Sequence, residues 1–169
     1  MLKLTEINTL PGRDFVTVLG GIFEHSPWVA EAVADARPFA TVEALHHAMV
    51  DAVARAPHEA QLALLRAHPD LAGKEAKAGA LTDASTAEQR SAALDKLSRA
   101  EMAMIERSNA RYRSRFGFPF IICVRNHDKP GIFAAFAQRL SNAPEIEFAT
   151  ALNEVYQIAR LRLANLLDA

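Results

Sequence analysis

Hydrophobic positions along the chain recur at the three-to-four-residue spacing that buries one stripe of a helix. After Thr41, a predicted N-cap, Val42, Leu45, Met49, Ala52 and Val53 fall on one face. Leu62 and Leu65 mark a second helix that Pro57 opens at its first turn. His68 is expected to close it, because Pro69 drives the preceding residue out of the α region. Met102, Ile105, Tyr112 and Phe116 define a third helix, expected to stop at Gly117 with Pro119 beyond. The last helix starts near Asn142 and Pro144 and runs through Phe148, Leu152, Val155, Ala159, Leu163 and Leu166. Only Phe120-Ile121-Ile122-Cys123-Val124 reads like a strand, and one such run makes no sheet. The patterns predict an all-α, single-domain bundle of about seven to nine helices over residues 1–169. Residues 69–84, with Pro69, Gly73 and Gly79, resist helical assignment and are expected to form a long functional loop.

Composition supports the same fold class. Alanine supplies 33 of 169 residues against 24 for Val, Ile and Thr together, a balance that favours helix over sheet. No apolar run is long enough to span a membrane, and the N-terminal residues lack a signal peptide's apolar segment. The C-terminal residues read as no targeting address. A single cysteine, Cys123, fits a reducing compartment, so a cytoplasmic protein is expected. The net charge of −1 argues against a general nucleic-acid binder. That charge is uneven: residues 90–129 hold 9 basic and 4 acidic groups on an otherwise acidic chain. This local positive field suits a small anion, or is simply a solvated helix face.

Several residues stand out as chemistry. His68 lies at a helix end ahead of the long loop, either as a C-capping residue or as a proton carrier. Ser85-Thr86-Ala87-Glu88 fits a capping box in which Glu88 reaches back to the Ser85 backbone, which would hold a carboxylate at a helix N-terminus beside Gln89. Arg162 falls on the apolar stripe of the last helix, whereas Arg160 lies on another face. It either snorkels at the stripe's edge or grips a carboxylate. If its partner is in part a bound substrate, an empty protein should tolerate Arg162→Met. Asn109 lies similarly between Ile105 and Tyr112. His46-His47 with Asp51 makes a poor metal site, Cys123 reads as a buried thiol, and Arg111, Arg113 and Arg115 spread around their helix.

Taken together, these residues resemble a known family, the 2-oxo-4-hydroxy-4-carboxy-5-ureidoimidazoline (OHCU) decarboxylases of urate degradation. The most specific pieces are His68-Pro69-Asp70-Leu71-Ala72-Gly73 and Arg115-Phe116-Gly117-Phe118-Pro119-Phe120, the latter running on into Ile121-Ile122-Cys123-Val124-Arg125. Ser85 with Glu88-Gln89, Asn109 before Tyr112, Glu24-His25 with Pro27, and Glu154-Val155 ahead of Leu161-Arg162-Leu163 support it. The resemblance implies an all-helical enzyme that forms (S)-allantoin and carbon dioxide with no metal or organic cofactor. It implies His68 as the catalytic acid/base with Glu88 and Arg162 as partners. Pro69, Ser85, Thr86, Ala87, Gln89, Phe120, Ile121, Ile122, Cys123 and Val124 would line the substrate, some through backbone groups. A homodimer is expected on the same ground. The alternatives are a non-catalytic helical module binding a small ureide-like anion, for which Arg162 would matter and His68 would not, and a hydrolase on the same scaffold.

Overall fold

The structure, a computed structural model, describes residues 1–168. The chain divides into two compact units, residues 1–67 together with the chain from Tyr156 onward, and residues 68–155.

In the first unit, a two-residue strand β1 (Leu2–Lys3) pairs in parallel with β2 (Leu167–Asp168). Helices α1 (Leu4–Thr9), α2 (Gly12–Leu19), α3 (Trp28–Val33), α4 (Val42–Arg55) and α5 (His58–Arg66) follow β1. Thr41 is the α4 N-cap, its hydroxyl accepting from the Ala44 amide at 3.0 Å. Leu45, Met49 and Val53 are fully buried on the face that periodicity assigns, packed toward α3. In α5 the buried pair is Leu64 and Leu65, while Leu62 stays partly exposed. Two polar clips brace the unit. The Asn8 amide hydrogen-bonds both the carbonyl and the N–H of Phe39, at 2.9 and 2.8 Å, and Arg37 lies over the Phe15 ring.

The second unit holds α6 (Lys74–Lys77), α7 (Asp83–Ser91), α8 (Arg99–Phe116), α9 (Lys129–Arg139) and the first part of α10 (Pro144–Leu166). Helix α8 ends where Gly117 takes φ +79°, a left-handed cap that a side chain would strain. The chain then runs without regular secondary structure through buried Phe118 to Cys123 into a 3-10 turn at Val124–Asn126, not a strand. Its rings close the core: Phe120 stacks on Phe136 at 3.7 Å and meets Tyr112 edge-on at 5.3 Å.

Ten α-helices are present among the described residues, and seven of them run eight residues or longer. The segment expected as one loop over 69–84 is broken by the short α6 and ends early, because α7 begins at Asp83.

Candidate active site

His68 lies two residues beyond the end of α5, and its side chain is buried. The turn just beyond the histidine is held at each successive residue. Asp70 accepts from Arg113 Nε, at 3.0 and 3.2 Å to its two oxygens. The Leu71 carbonyl accepts from Asn109 Nδ2 at 2.9 Å, and the Ala72 N–H donates to Gln89 Oε1 at 3.0 Å. Ala72 sits at φ +46°, and a Cβ on Gly73 would come within 2.7 Å of Asp70 Cβ, so this turn has little freedom. Asn109 and Gln89, both buried, thus fix the backbone past His68.

The expected capping box at Ser85 does not form. Thr82 is the N-cap of α7, its Oγ1 accepting from the Ser85 amide at 3.2 Å. Ser85 is therefore at the third helical position, and Glu88 stands a turn further in, where it cannot reach a cap. The physical reason is the earlier start: Thr82 also satisfies the helix's first donors, and Asp83 lies in the favourable first turn. Ser85 and Gln89 face inward, Ala87 is exposed, and the Thr86 hydroxyl donates to the Thr82 carbonyl at 3.0 Å. Thr86 and Gln89 also line a cavity of about 290 Å³ with Ala72, Leu81, Leu94 and Met102.

Helix α7 packs against the turn at Val124–Asn126. The Cys123 thiol is pushed up to about 11, first by burial and then by the negative charges of Glu154 and Glu88. Glu88 is therefore an electrostatic neighbour of the Phe120–Val124 segment. Of that segment's backbone groups, the Cys123 N–H is already taken by Glu154 Oε2 at 2.8 Å, and the Ile121 carbonyl by Arg139 Nη1 at 2.7 Å. The Ile122 N–H forms no hydrogen bond with any described residue, although Ile122 is buried.

Arg162 belongs to the other unit, so the structure groups His68, Ser85, Glu88, Gln89 and Phe120–Val124 in one unit and Arg162 in the other. Helical phase places it correctly: Arg162 is buried and Arg160 exposed. Its counter-charge, however, is Glu24, with Nη1 2.7 Å from Oε2 and both side chains buried, plus the Gly21 carbonyl at 3.3 Å. The condition on which an empty protein would tolerate Arg162→Met, a partner supplied by substrate, is replaced by a protein carboxylate, so the change is expected to cost stability.

Sequence reasoning missed Arg139 and Glu147, a second buried ion pair among the described residues. Both were detectable by the same phase test, since Ile132, Phe136 and Arg139 share one face of α9 and Glu147 shares one with Ala151 and Val155 on α10.

Residues 8–164 match the OHCU decarboxylase family. A 2-oxo-4-hydroxy-4-carboxy-5-ureidoimidazoline decarboxylase from Haloferax volcanii is 49% identical over 163 residues, spanning 96% of this chain and 95% of its own. The protein of that name from Mus musculus is 40% identical over 171 residues, spanning 99% and 94%. A crystal structure of (S)-allantoin synthase superposes with a TM-score of 0.79 at 33% identity, over 99% of this chain and 54% of that one. The chain thus spans about half the length of that structure.

Proposed function

The chain belongs to the OHCU decarboxylase family, and from that premise we infer that it is a carboxy-lyase converting 2-oxo-4-hydroxy-4-carboxy-5-ureidoimidazoline to (S)-allantoin and carbon dioxide. The observation that carries this is the near-full-length match to relatives named for the reaction. The chemistry fits the residues. The substrate's carboxylate sits on a carbon that also bears a hydroxyl and adjoins a ring C=N bond. When the carbon–carboxylate bond breaks, its electron pair forms a C=C bond and the C=N pair moves to nitrogen, so the ring is its own electron sink. That nitrogen takes up a proton, a base takes the hydroxyl proton as the carbonyl forms, and an acid delivers one to a single face of the neighbouring carbon, which fixes the (S) configuration; one proton is consumed for each carbon dioxide released.

His68 is assigned the acid/base role, supported by its burial ahead of a turn clamped at Asp70, Leu71 and Ala72. Glu88 is assigned as its partner, supported by its influence on Cys123. Arg162 is assigned to the substrate's negative charge by resemblance alone. The groups expected to line the substrate stay in the proposal: Pro69, Ser85, Thr86, Ala87, Gln89, Phe120, Ile121, Ile122, Cys123 and Val124. The Thr86 hydroxyl and the Phe120 ring have protein contacts of their own, so these two residues would act through backbone groups, as would Ile122 through its amide. A cytoplasmic location, consistent with the single free thiol, and a homodimer complete the proposal.

The test is chiral analysis of the product from freshly generated substrate. Wild-type protein should give (S)-allantoin well above the spontaneous racemic background, and folded His68→Asn should lose roughly 10²–10⁴-fold in rate. Undiminished (S)-allantoin formation by His68→Asn would remove the histidine from the mechanism. Binding without turnover in the wild type would favour the anion-binding module instead.

A further inference from the structure

A buried ion pair is an expensive way to fill a core, and well-packed apolar residues usually do as well or better. Arg139 and Glu147 are nonetheless almost wholly inaccessible, at 6% and 0% exposure. Their network reaches one stretch of backbone through Arg139. Arg139 Nε donates to Glu147 Oε1 at 2.7 Å, and its Nη2 lies 2.6 Å from the same oxygen. The Tyr112 hydroxyl donates to that oxygen at 2.5 Å, and Asn142 Nδ2 to Oε2 at 3.0 Å, so the carboxylate is held from several sides. The guanidinium lies over the Phe120 ring at 4.4 Å, and its remaining arm, Nη1, donates to the Ile121 carbonyl at 2.7 Å.

Peptide geometry makes that last bond consequential. A trans peptide is planar, so fixing the Ile121 carbonyl also fixes the Ile122 N–H, which points the opposite way. The next peptide is fixed independently, because the Cys123 N–H is held by Glu154 at 2.8 Å. Two consecutive planes are therefore clamped, and the donor between the clamps is the Ile122 amide, buried and without an acceptor among the described residues. Buried N–H groups are rarely left so, and such a group is a ready-made donor for a ligand oxygen.

We propose that Arg139, itself held by Glu147, is a positioning residue for the decarboxylation. It acts by aiming the Ile122 N–H at a substrate oxygen and touches no substrate itself. This rests on the assignment of the Phe120–Val124 segment to substrate. The planar fork is essential, since Nη1 donates to the carbonyl while Nε donates to the carboxylate, a two-way reach in fixed geometry that a lysine cannot reproduce.

The test uses Arg139→Met combined with Glu147→Gln. The pair is removed without stranding a charge, and the glutamine still offers an oxygen to Tyr112. Melting temperature should stay close to wild type. The rate constant kcat/KM should fall roughly 10- to 100-fold, as expected for a misaimed contact. Hydrogen exchange at the Ile122 amide should quicken by about the same factor while the Ile105 amide, in the core of α8, is unaffected. Arg139→Lys should share the kinetic loss. A folded double variant with unchanged kcat/KM and unchanged Ile122 exchange would overturn the proposal. If wild-type protein shows no decarboxylation, the functional assignment fails by itself, and the Ile122 exchange comparison still decides whether Arg139 holds that amide. Quickened exchange at Ile105 as well would mean a general loosening and would also count against positioning.

Discussion

A guanidinium buried on an apolar helix face needs a counter-charge, and at Arg162 the chain supplies it as Glu24. The consequence is opposite to that of an arginine left open for substrate. Arg162→Met should destabilise the empty protein by roughly 3–5 kcal/mol, because the buried Glu24 carboxylate loses the Arg162 guanidinium at 2.7 Å. Adding Glu24→Gln should recover most of that loss. Arg160→Met, on the exposed face, should change stability by no more than about 0.5 kcal/mol. Denaturant titration of the four proteins reads all of this, and a silent Arg162→Met would mean that Glu24 takes up a proton or a new partner at negligible cost.

At the scale of elements, the start of α7 frees Glu88 from capping. A capping box at Ser85 would have made Glu88 a structural residue. With the cap at Thr82, the carboxylate is left for the proton chemistry proposed for it. Thr82→Ala should therefore cost about 1 kcal/mol of stability with little effect on turnover. Glu88→Gln should change stability by less than about 1 kcal/mol while turnover drops steeply. Melting curves beside steady-state rates test the division, and the reverse pattern, a destabilised but active Glu88→Gln, would return Glu88 to a capping or packing role. Residues 69–73 are no floppy loop either. Side chains from α7 and α8 tie down Asp70, Leu71 and Ala72 in turn.

For the whole molecule, the buried Cys123 thiol links unfolding to alkaline pH. Its pKa is raised from 9.0 to about 11 in the folded chain, by burial first and by Glu154 and Glu88 next. Between these values the unfolded chain releases the proton and the folded chain keeps it, so stability falls as pH rises through that window. The effect is absent below about pH 8 and reaches at most about 2–3 kcal/mol by pH 11. Tyr112 and Tyr156, both raised by burial, push in the same direction at higher pH. Cys123→Ala should therefore flatten the stability profile between pH 9 and 11 relative to wild type, measured by urea unfolding across that range. Parallel profiles for the two proteins would show that the thiol already titrates normally in the folded state.

Local and periodic features were determined by the sequence itself. Helix faces follow from side-chain spacing along a 3.6-residue turn, which is why the α4 face, the stop at Gly117 and the burial of Arg162 were all legible. The motif around His68 and the Phe120–Val124 run sufficed to indicate the family, since the order of residues along the chain is all such a resemblance needs. Tertiary structure alone decided which polar group meets which. Thr82 displaced Ser85 as a cap, because neighbouring candidates compete for the same orphan amides and periodicity does not rank them. Glu24 reaches Arg162 across 138 residues of sequence, and Glu154 reaches the Cys123 amide across 31. Such pairings depend on how the backbone folds back, a relation that spacing along one helix does not encode. The same holds for Arg139: its phase marks it as buried, but only the folded chain reveals that its free arm ends on the Ile121 carbonyl.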